Sequence, residues 1–196
     1  MIRISLLLYF LGFLQSQNYP DFEVMHFESP HSSSLFLHIM SEQNRFMAII
    51  DSGLDVQWHI RSNHMGLDFK VNQNYLTYYN KIEGSWILAN QMMNEVDTLM
   101  CEGPYVADYH DIQILENGNY LLQAYDSSFV DMSIIIDGGQ SVAWITGILV
   151  IQMFDINDEL IYEWNAWDHL DISQYTNLNL QSDAIEWMHG NSIEWV

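Results

Sequence analysis

Short apolar runs separated by turn residues follow one another along most of the chain. Residues 44–60 contain an apolar run, an Asp-Ser-Gly turn at 51–53 and a second run that passes a tryptophan. Residues 85–100 form a similar pair of runs, and residues 148–167 repeat the first layout with a turn at 155–157. Runs of this length, rich in β-branched and aromatic residues and bounded by turns, are typical of strands. The pattern predicts an all-β protein, with one helical turn between residues 172 and 178.

The clearest hairpin lies in residues 110–122, His-Asp-Ile-Gln-Ile-Leu-Glu-Asn-Gly-Asn-Tyr-Leu-Leu. Ile112 and Ile114 alternate with polar residues, and Asn117-Gly118 is compatible with a type I′ turn. His110 stands at the start of this hairpin.

A strand–Asp–turn–strand–Trp unit recurs in residues 48–60 and 152–164. Recurring sheet units predict a β-propeller, with a β-sandwich as the alternative. Because a propeller blade takes about 40–50 residues, this chain has room for about four blades at most. We therefore expect residues 17–196 to form the N-terminal part of a propeller that is incomplete at its C-terminal end.

The N-terminus has the layout of a secretory signal peptide over residues 1–16. Arg3 precedes an apolar run from Ile4 to Leu14, which is too short to span a bilayer, and polar residues follow. This predicts export to the periplasm or the cell exterior, with no membrane span once the signal is removed. The other long apolar run, residues 141–154, is interrupted at Thr146 and Gly147 and predicts a buried strand pair.

The charge balance excludes one class of partner. The chain has 26 acidic residues against 5 Lys plus Arg, a formal net charge of −21. Such a chain repels polyanions, so nucleic acid is not expected as a partner. An anionic small molecule would need local positive charge, which protonated histidine can supply. Cys101 is the single cysteine, which rules out an intramolecular disulfide and predicts a small buried apolar residue.

Three histidine motifs carry a resemblance to a known family. They are His-Asp-Ile-Gln-Ile-Leu-Glu-Asn-Gly-Asn from His110, Trp-Asp-His-Leu-Asp around His169, and His-Gly-Asn-Ser-Ile-Glu-Trp from His189. In this order, behind an export signal and within β repeats, they resemble the bacterial arylsulfotransferases that use no nucleotide sulfate donor. The resemblance covers most of the chain after the signal peptide.

The resemblance implies a six-bladed β-propeller with its site at the central channel. It also implies transfer of a sulfuryl group from a phenolic sulfate ester to a phenolic acceptor through a sulfohistidine, without a metal or another cofactor. His110 and His189 would be the catalytic residues, and His169 and Asn191 would bind substrate. In the family, an arginine and the attacking histidine follow the His-x-Asn-Ser motif at positions beyond Val196, so we expect this chain to lack the nucleophile.

Elementary chemistry agrees with these roles and leaves two alternatives. A sulfate ester needs donors around its oxygens, and an imidazole can donate a hydrogen bond or a proton. Asp108 or Asp111 could orient His110 as a neighbouring carboxylate does. One alternative is a secreted, non-catalytic propeller that binds a ligand in its channel. The other is a metal-dependent enzyme, for which the sequence offers a set of histidines and aspartates: His110, His169, Asp108, Asp111, Asp168 and Asp171.

Overall fold

The computed structural model of the chain describes residues 22–23, 25, 32–40, 45–63 and 65–195. The predicted signal peptide, residues 1–16, and the start of the predicted domain at residue 17 lie outside these described residues. The described part is built almost entirely of strands, which confirms the all-β class. None of its helices is long and apolar enough to cross a membrane.

In the described part of the chain, twelve strands form three sheets that follow one another in sequence. The strands are β1 (Leu35–Met40), β2 (Arg45–Ile50), β3 (Val56–Arg61), β4 (Met65–Asn72), β5 (Tyr75–Asn80), β6 (Ser85–Ala89), β7 (Glu95–Leu99), β8 (Ala107–Ile114), β9 (Tyr120–Val130), β10 (Ala143–Phe154), β11 (Leu160–Asn165) and β12 (Ala184–Glu186). A short helix α1 (Ala166–His169) and two 3₁₀ turns, Met132–Ile134 and Ile172–Gln174, complete the described elements. The second 3₁₀ turn lies where the sequence predicted a helical turn.

Each sheet is an antiparallel meander of consecutive strands. The first sheet has the order β1-β2-β3, the second β4-β5-β6-β7 and the third β8-β9-β10-β11. β12 adds to the third sheet by pairing in parallel with β10. The first strands of successive sheets contact each other, β1 with β4 and β4 with β8. The sheets are therefore arranged side by side through their first strands.

Two apolar clusters fill the spaces between neighbouring sheets. Met47 and Phe69 lie in the cluster between the first and second sheets. Trp86, Ile112 and Leu122 lie in the cluster between the second and third. Cys101 packs against this second cluster, and burial raises the pKa of its thiol to about 12, so it behaves as the apolar residue that the sequence predicted.

Four hairpins share one kind of three-residue loop, which explains the repeat visible in the sequence. In the loop after Asp51, the N–H of Leu54 donates to the Asp51 carbonyl and the Asp51 N–H donates to the Asp55 carbonyl. The same pair of bonds recurs at Asn90, Leu115 and Asp155. The third loop residue has positive φ in each case: Leu54, Met93, Gly118 and Asp158. The Asn117-Gly118 turn is thus a three-residue loop of the type I plus bulge kind, and the expected two-residue type I′ turn is wrong.

The apolar run at 141–154 is one long strand and not the predicted strand pair. β10 runs unbroken from Ala143 to Phe154, and a bulge in its pairing with β9 falls between Ile145 and Ile148. Gly147, at φ 67°, sits in this bulge, and a Cβ there would come within 2.6 Å of the Met188 carbonyl oxygen. Glycine therefore bends the strand and lets the chain at Met188 approach it, where the prediction took the same residue for a break.

His38 on β1 gives the fold a pH dependence that can be measured. Burial, followed by the positive charge of Arg45, lowers the pKa of His38 below its usual 6.5. The unfolded chain then binds more protons than the folded chain between these two pKa values. The contribution of His38 to the free energy of unfolding is therefore complete above pH 6.5. It is lost as the pH falls from 6.5 toward the lower folded-state pKa of His38.

We expect His38→Gln to reduce this loss. The measurement is the urea midpoint at about pH 7.5 and about pH 5.5, with the difference compared between the wild type and the variant. His59→Gln, on β3 of the same sheet, serves as the control. An equal loss of midpoint in all three proteins would contradict the assignment to His38.

Candidate functional site

The candidate site is built on a wide bulge in β8. β8 pairs Ala107 with Ala124 and Ile112 with Leu122 of β9. The four residues 108–111 therefore lie opposite a single residue, Gln123. The extra chain leaves the ladder and presents its side chains in directions that a regular strand would not allow. His110 is in this bulge.

Side chains of the second sheet donate hydrogen bonds to the backbone of the bulge. The indole Nε1 of Trp86 donates to the Asp108 carbonyl at 3.0 Å, and the Tyr79 hydroxyl donates to the Ala107 carbonyl at 2.5 Å. Trp86 is completely buried and Tyr79 nearly so. These bonds give partners to backbone oxygens at the start of the bulge, as buried carbonyls require.

The Asp108 carboxylate orients His110. Its Oδ1 lies 2.6 Å from His110 Nδ1 and accepts from the His110 backbone N–H at 3.0 Å and from Gln123 Nε2 at 3.2 Å. Because a carboxylate accepts here, the Nδ1 atom carries a proton and Nε2 faces away as the second ring nitrogen. Asp108 is buried and His110 is one-fifth exposed, so the pair lies at the surface with only the imidazole reachable.

His189 reaches His110 on a segment that runs along β10 and then crosses β9. The N–H groups of Trp187 and Met188 donate to the Thr146 and Gly147 carbonyls, so this segment continues from β12 beside the β10 bulge. The ring of His189 then lies 4.6 Å from that of His110, centroid to centroid, at an interplanar angle of 77°.

Two side chains of β9 hold the residue that follows His189. The Tyr125 hydroxyl accepts from the Gly190 N–H at 2.7 Å and donates to its carbonyl at 3.3 Å, and Gln123 Nε2 lies 3.4 Å from the same carbonyl. Burial raises the pKa of Tyr125, which keeps the hydroxyl protonated. A Cβ at Gly190 would lie 2.7 Å from Gln123 Oε1, so a larger residue would require the end of the Gln123 side chain to shift.

The predicted site residues divide into two groups. The structure brings His110, His189 and Asp108 together. Asn191 is exposed, two residues beyond His189. His169 lies on α1 with its ring stacked on Trp164, 5.5 Å between centroids and 7° apart in plane, so its described ring contact is with β11 and not with the histidine pair.

Asp111 differs from the expectation that it orients His110. Its Oδ1 pairs with the Lys70 ammonium on β4, and its Oδ2 accepts from the Ile193 N–H at 2.9 Å. Of the two aspartates beside His110, Asp108 alone has a described contact with the ring.

Gln123, Tyr125 and Lys70 are site residues that the sequence analysis missed. Gln123 left a signal, because it is a polar residue in the middle of a strand that is otherwise apolar on its buried side. Lys70 left another, because it is one of only 5 Lys plus Arg in the chain and none follows Lys81. Around the histidine pair, positive charge must therefore come from Lys70 or from the imidazoles themselves.

The arrangement supports anion binding and proton transfer more directly than metal binding. Two imidazoles in contact, one of them held by a carboxylate, can donate to an oxyanion when protonated and can exchange a proton with a leaving group. Among residues 22–23, 25, 32–40, 45–63 and 65–195, no group of three or more His, Cys, Asp and Glu could hold a metal ion.

Comparison with known proteins adds little to this geometry. No protein-family model matches the chain, and no curated protein matches it. Among solved structures, a protein of unknown function from Bacteroides caccae is similar with a TM-score of 0.36 and 14% sequence identity. The match covers 70% of this chain, and the chain spans only 41% of that protein.

Proposed function

We propose that the histidine pair belongs to an aryl sulfotransferase site, in which His110 and His189 bind the sulfuryl group of a phenolic sulfate ester. The observation that carries the proposal is the 4.6 Å contact between two rings from motifs far apart in the sequence. The family resemblance rests on these same two motifs. Their meeting on one surface is what a shared anion site requires.

We also propose that the sheets are blades of a β-propeller. Three antiparallel meanders in chain order, joined through their first strands, support this arrangement. The segment after His189 gives further support. Its contact with β8 is of the same kind as the contact of β8 with β4. The side chain of Asn72 on β4 hydrogen-bonds to the β8 backbone at Ile112 and Ile114. In the same way, the side chains of Asp111 and Gln113 on β8 accept from the backbone N–H groups of Ile193 and Trp195.

The proposed reaction divides the work between three imidazoles. A nitrogen of the attacking histidine bonds to sulfur while the ester S–O bond breaks, and the phenolate leaves with a proton from His110 or His189. A phenolic acceptor then takes the sulfuryl group as the N–S bond of the sulfohistidine breaks, and it gives its proton to the imidazole that protonated the leaving phenolate. We assign to His110 and His189 the binding of sulfuryl oxygens and this proton transfer, and to the later histidine of the family pattern the attack on sulfur. We further propose that residues 1–16 direct export of the protein. The partners of the site would be small-molecule phenols.

The test measures acceptor-dependent release of 4-nitrophenol from 4-nitrophenyl sulfate by the full-length protein. We expect His110→Ala and His189→Ala each to lower the rate by about 100-fold or more, the usual range for loss of an acid–base group. His59→Ala, which changes a histidine of the first sheet, is the matched control and should retain the rate. Equal rates in all variants would contradict the proposal. Saturable binding of the ester without any release would favour the non-catalytic propeller instead.

A further inference from the structure

Lys70 lies between two carboxylates at the junction of the second and third sheets. The β4–β5 pairing shifts register between Leu67 and Lys70, and Asp68 in this bulge has φ 48°. The bulge turns the Asp68 carboxylate to the same side as the Lys70 ammonium, and the two form an ion pair at 2.5 Å. The second ion pair of Lys70 is with Asp111 of β8. Lys70 thus links the bulge in β4 to the bulge in β8.

The two oxygens of Asp111 serve two different partners. Oδ1 pairs with Lys70 and Oδ2 accepts from the backbone N–H of Ile193 at 2.9 Å. The Asp111 side chain is only 15% exposed, so a carboxylate there needs a compensating charge to stay ionised at low cost. Lys70 supplies that charge. Without it, the partly buried Asp111 carboxylate would lose its compensating charge, and its contact with the Ile193 N–H would be weakened.

Ile193 lies on the segment that carries His189. The contacts of Gln123 and Tyr125 fix this segment at Gly190, and the contact of Asp111 fixes it at Ile193. Before His189, the N–H groups of Trp187 and Met188 are bonded to β10, and after Gly190 the N–H groups of Ile193 and Trp195 are bonded to Asp111 and Gln113 of β8. The Asp111 contact therefore belongs to a set of bonds that hold the chain on both sides of His189.

We propose that Lys70 is a positioning residue for the histidine pair: it fixes the Asp111 carboxylate, which in turn holds the segment 190–193 so that His189 stays against His110. This inference goes beyond the proposed function, because it concerns how the two rings are held and does not depend on sulfuryl transfer.

A direct role of Lys70 as an anion ligand fits the geometry less well. Its ammonium already has two carboxylate partners, so the group of three carries a net negative charge. Burial works to lower the pKa of Lys70, but the hydrogen bonds to Asp111 and Asp68 outweigh it and raise the pKa above its usual value. The ammonium therefore remains charged and engaged across the neutral range, which suits a fixed support.

The test replaces Lys70 with methionine, which keeps the length of the side chain and removes its charge. The control is Lys81→Met, which changes the net charge equally at an exposed turn. In Lys70→Met we expect the amide hydrogen exchange of Ile193 to accelerate about tenfold or more relative to that of Ile112, with loss of the NMR cross-relaxation between the rings of His110 and His189. Lys81→Met should leave the exchange rate and the cross-relaxation unchanged. Lys70→Arg keeps the positive charge and should keep both close to their wild-type values.

A double-mutant cycle keeps the test decisive if Lys70→Met is unstable. Asp111→Ala removes the acceptor for Ile193 by itself, so adding Lys70→Met to it should cause no further local acceleration. Unchanged exchange at Ile193 in folded Lys70→Met would overturn the inference. So would equal acceleration of all amides, because that would make Lys70 a general stabiliser. Both readouts are valid whether or not the wild type turns over an aryl sulfate, so the failure of this inference and that of the proposed function can be told apart.

Discussion

In the full-length protein, replacing Asp108 with alanine should lower aryl sulfate turnover by about 10³-fold or more, comparable to losing the orienting carboxylate of a catalytic triad. Asp108 Oδ1 is the acceptor for His110 Nδ1, for the His110 N–H and for Gln123 Nε2. Alanine leaves the buried Gln123 amide with one partner fewer and leaves the imidazole free to rotate. We also expect a loss of stability of about 2–3 kcal/mol, the range for buried donors deprived of a charged acceptor.

Asp108→Asn separates the geometry of this contact from its charge. Asparagine retains an oxygen at the position of Oδ1 and can keep all three bonds, but it removes the negative charge beside the imidazole. We expect near wild-type stability with turnover between those of the wild type and the alanine variant. The measurements are urea unfolding and initial rates on the same preparations. Wild-type turnover in Asp108→Ala, with the fold retained, would contradict the orienting role.

Replacing Trp86 with alanine should destabilise the protein more than replacing Asp108 with alanine. Trp86 is completely buried in the cluster between the second and third sheets, and its ring packs edge-on against Tyr79. Removing a buried tryptophan costs about 3–5 kcal/mol through lost burial and the cavity left behind. The same side chain donates to the Asp108 carbonyl, so the β8 bulge should loosen as well.

Trp86→Phe is the matched variant. It fills most of the volume but cannot donate to Asp108, so we expect a loss of about 1–2 kcal/mol, from the hydrogen bond and a smaller cavity. Trp195→Ala removes an exposed indole and should change stability by less than about 0.5 kcal/mol. The urea midpoint with a constant m-value gives these differences. A Trp86→Ala protein as stable as Trp195→Ala would show that the two sheets do not pack as described.

The hairpins could be predicted from the sequence because their information is local. Asp51, Asn90 and Asp155 each end a strand and accept bonds from backbone N–H groups two and four residues later. Such a side chain stabilises the turn that it begins. Asp or Asn therefore recurs at the same position of these hairpins. The exact loop type was missed at Asn117-Gly118, since a glycine with positive φ suits both the two-residue and the three-residue loop.

The bulges could not be predicted, because they depend on contacts between distant strands. Residues 107–114 read as a continuous strand, and nothing local says that four of them lie opposite one residue of β9. Gly147 was visible in the sequence, but its role as the point where Met188 approaches β10 depends on the third sheet as a whole. The proximity of His110 and His189 was expected from the family resemblance and not from the pattern of residues. Asp111 was expected as a possible partner of His110, but its contacts with Lys70 and Ile193 involve residues distant in the sequence.

The most direct test of the shared site is a titration of the protein, labelled with ¹⁵N in its histidines, with 4-nitrophenyl sulfate under conditions without an acceptor. If His110 and His189 bind one sulfuryl group, the ring resonances of both will shift with the same dissociation constant, and those of His59 and His169 will stay in place. Inorganic sulfate should produce the same pair of shifts at higher concentration. Shifts confined to one of the two rings, or to neither while the ester binds elsewhere, would contradict the account.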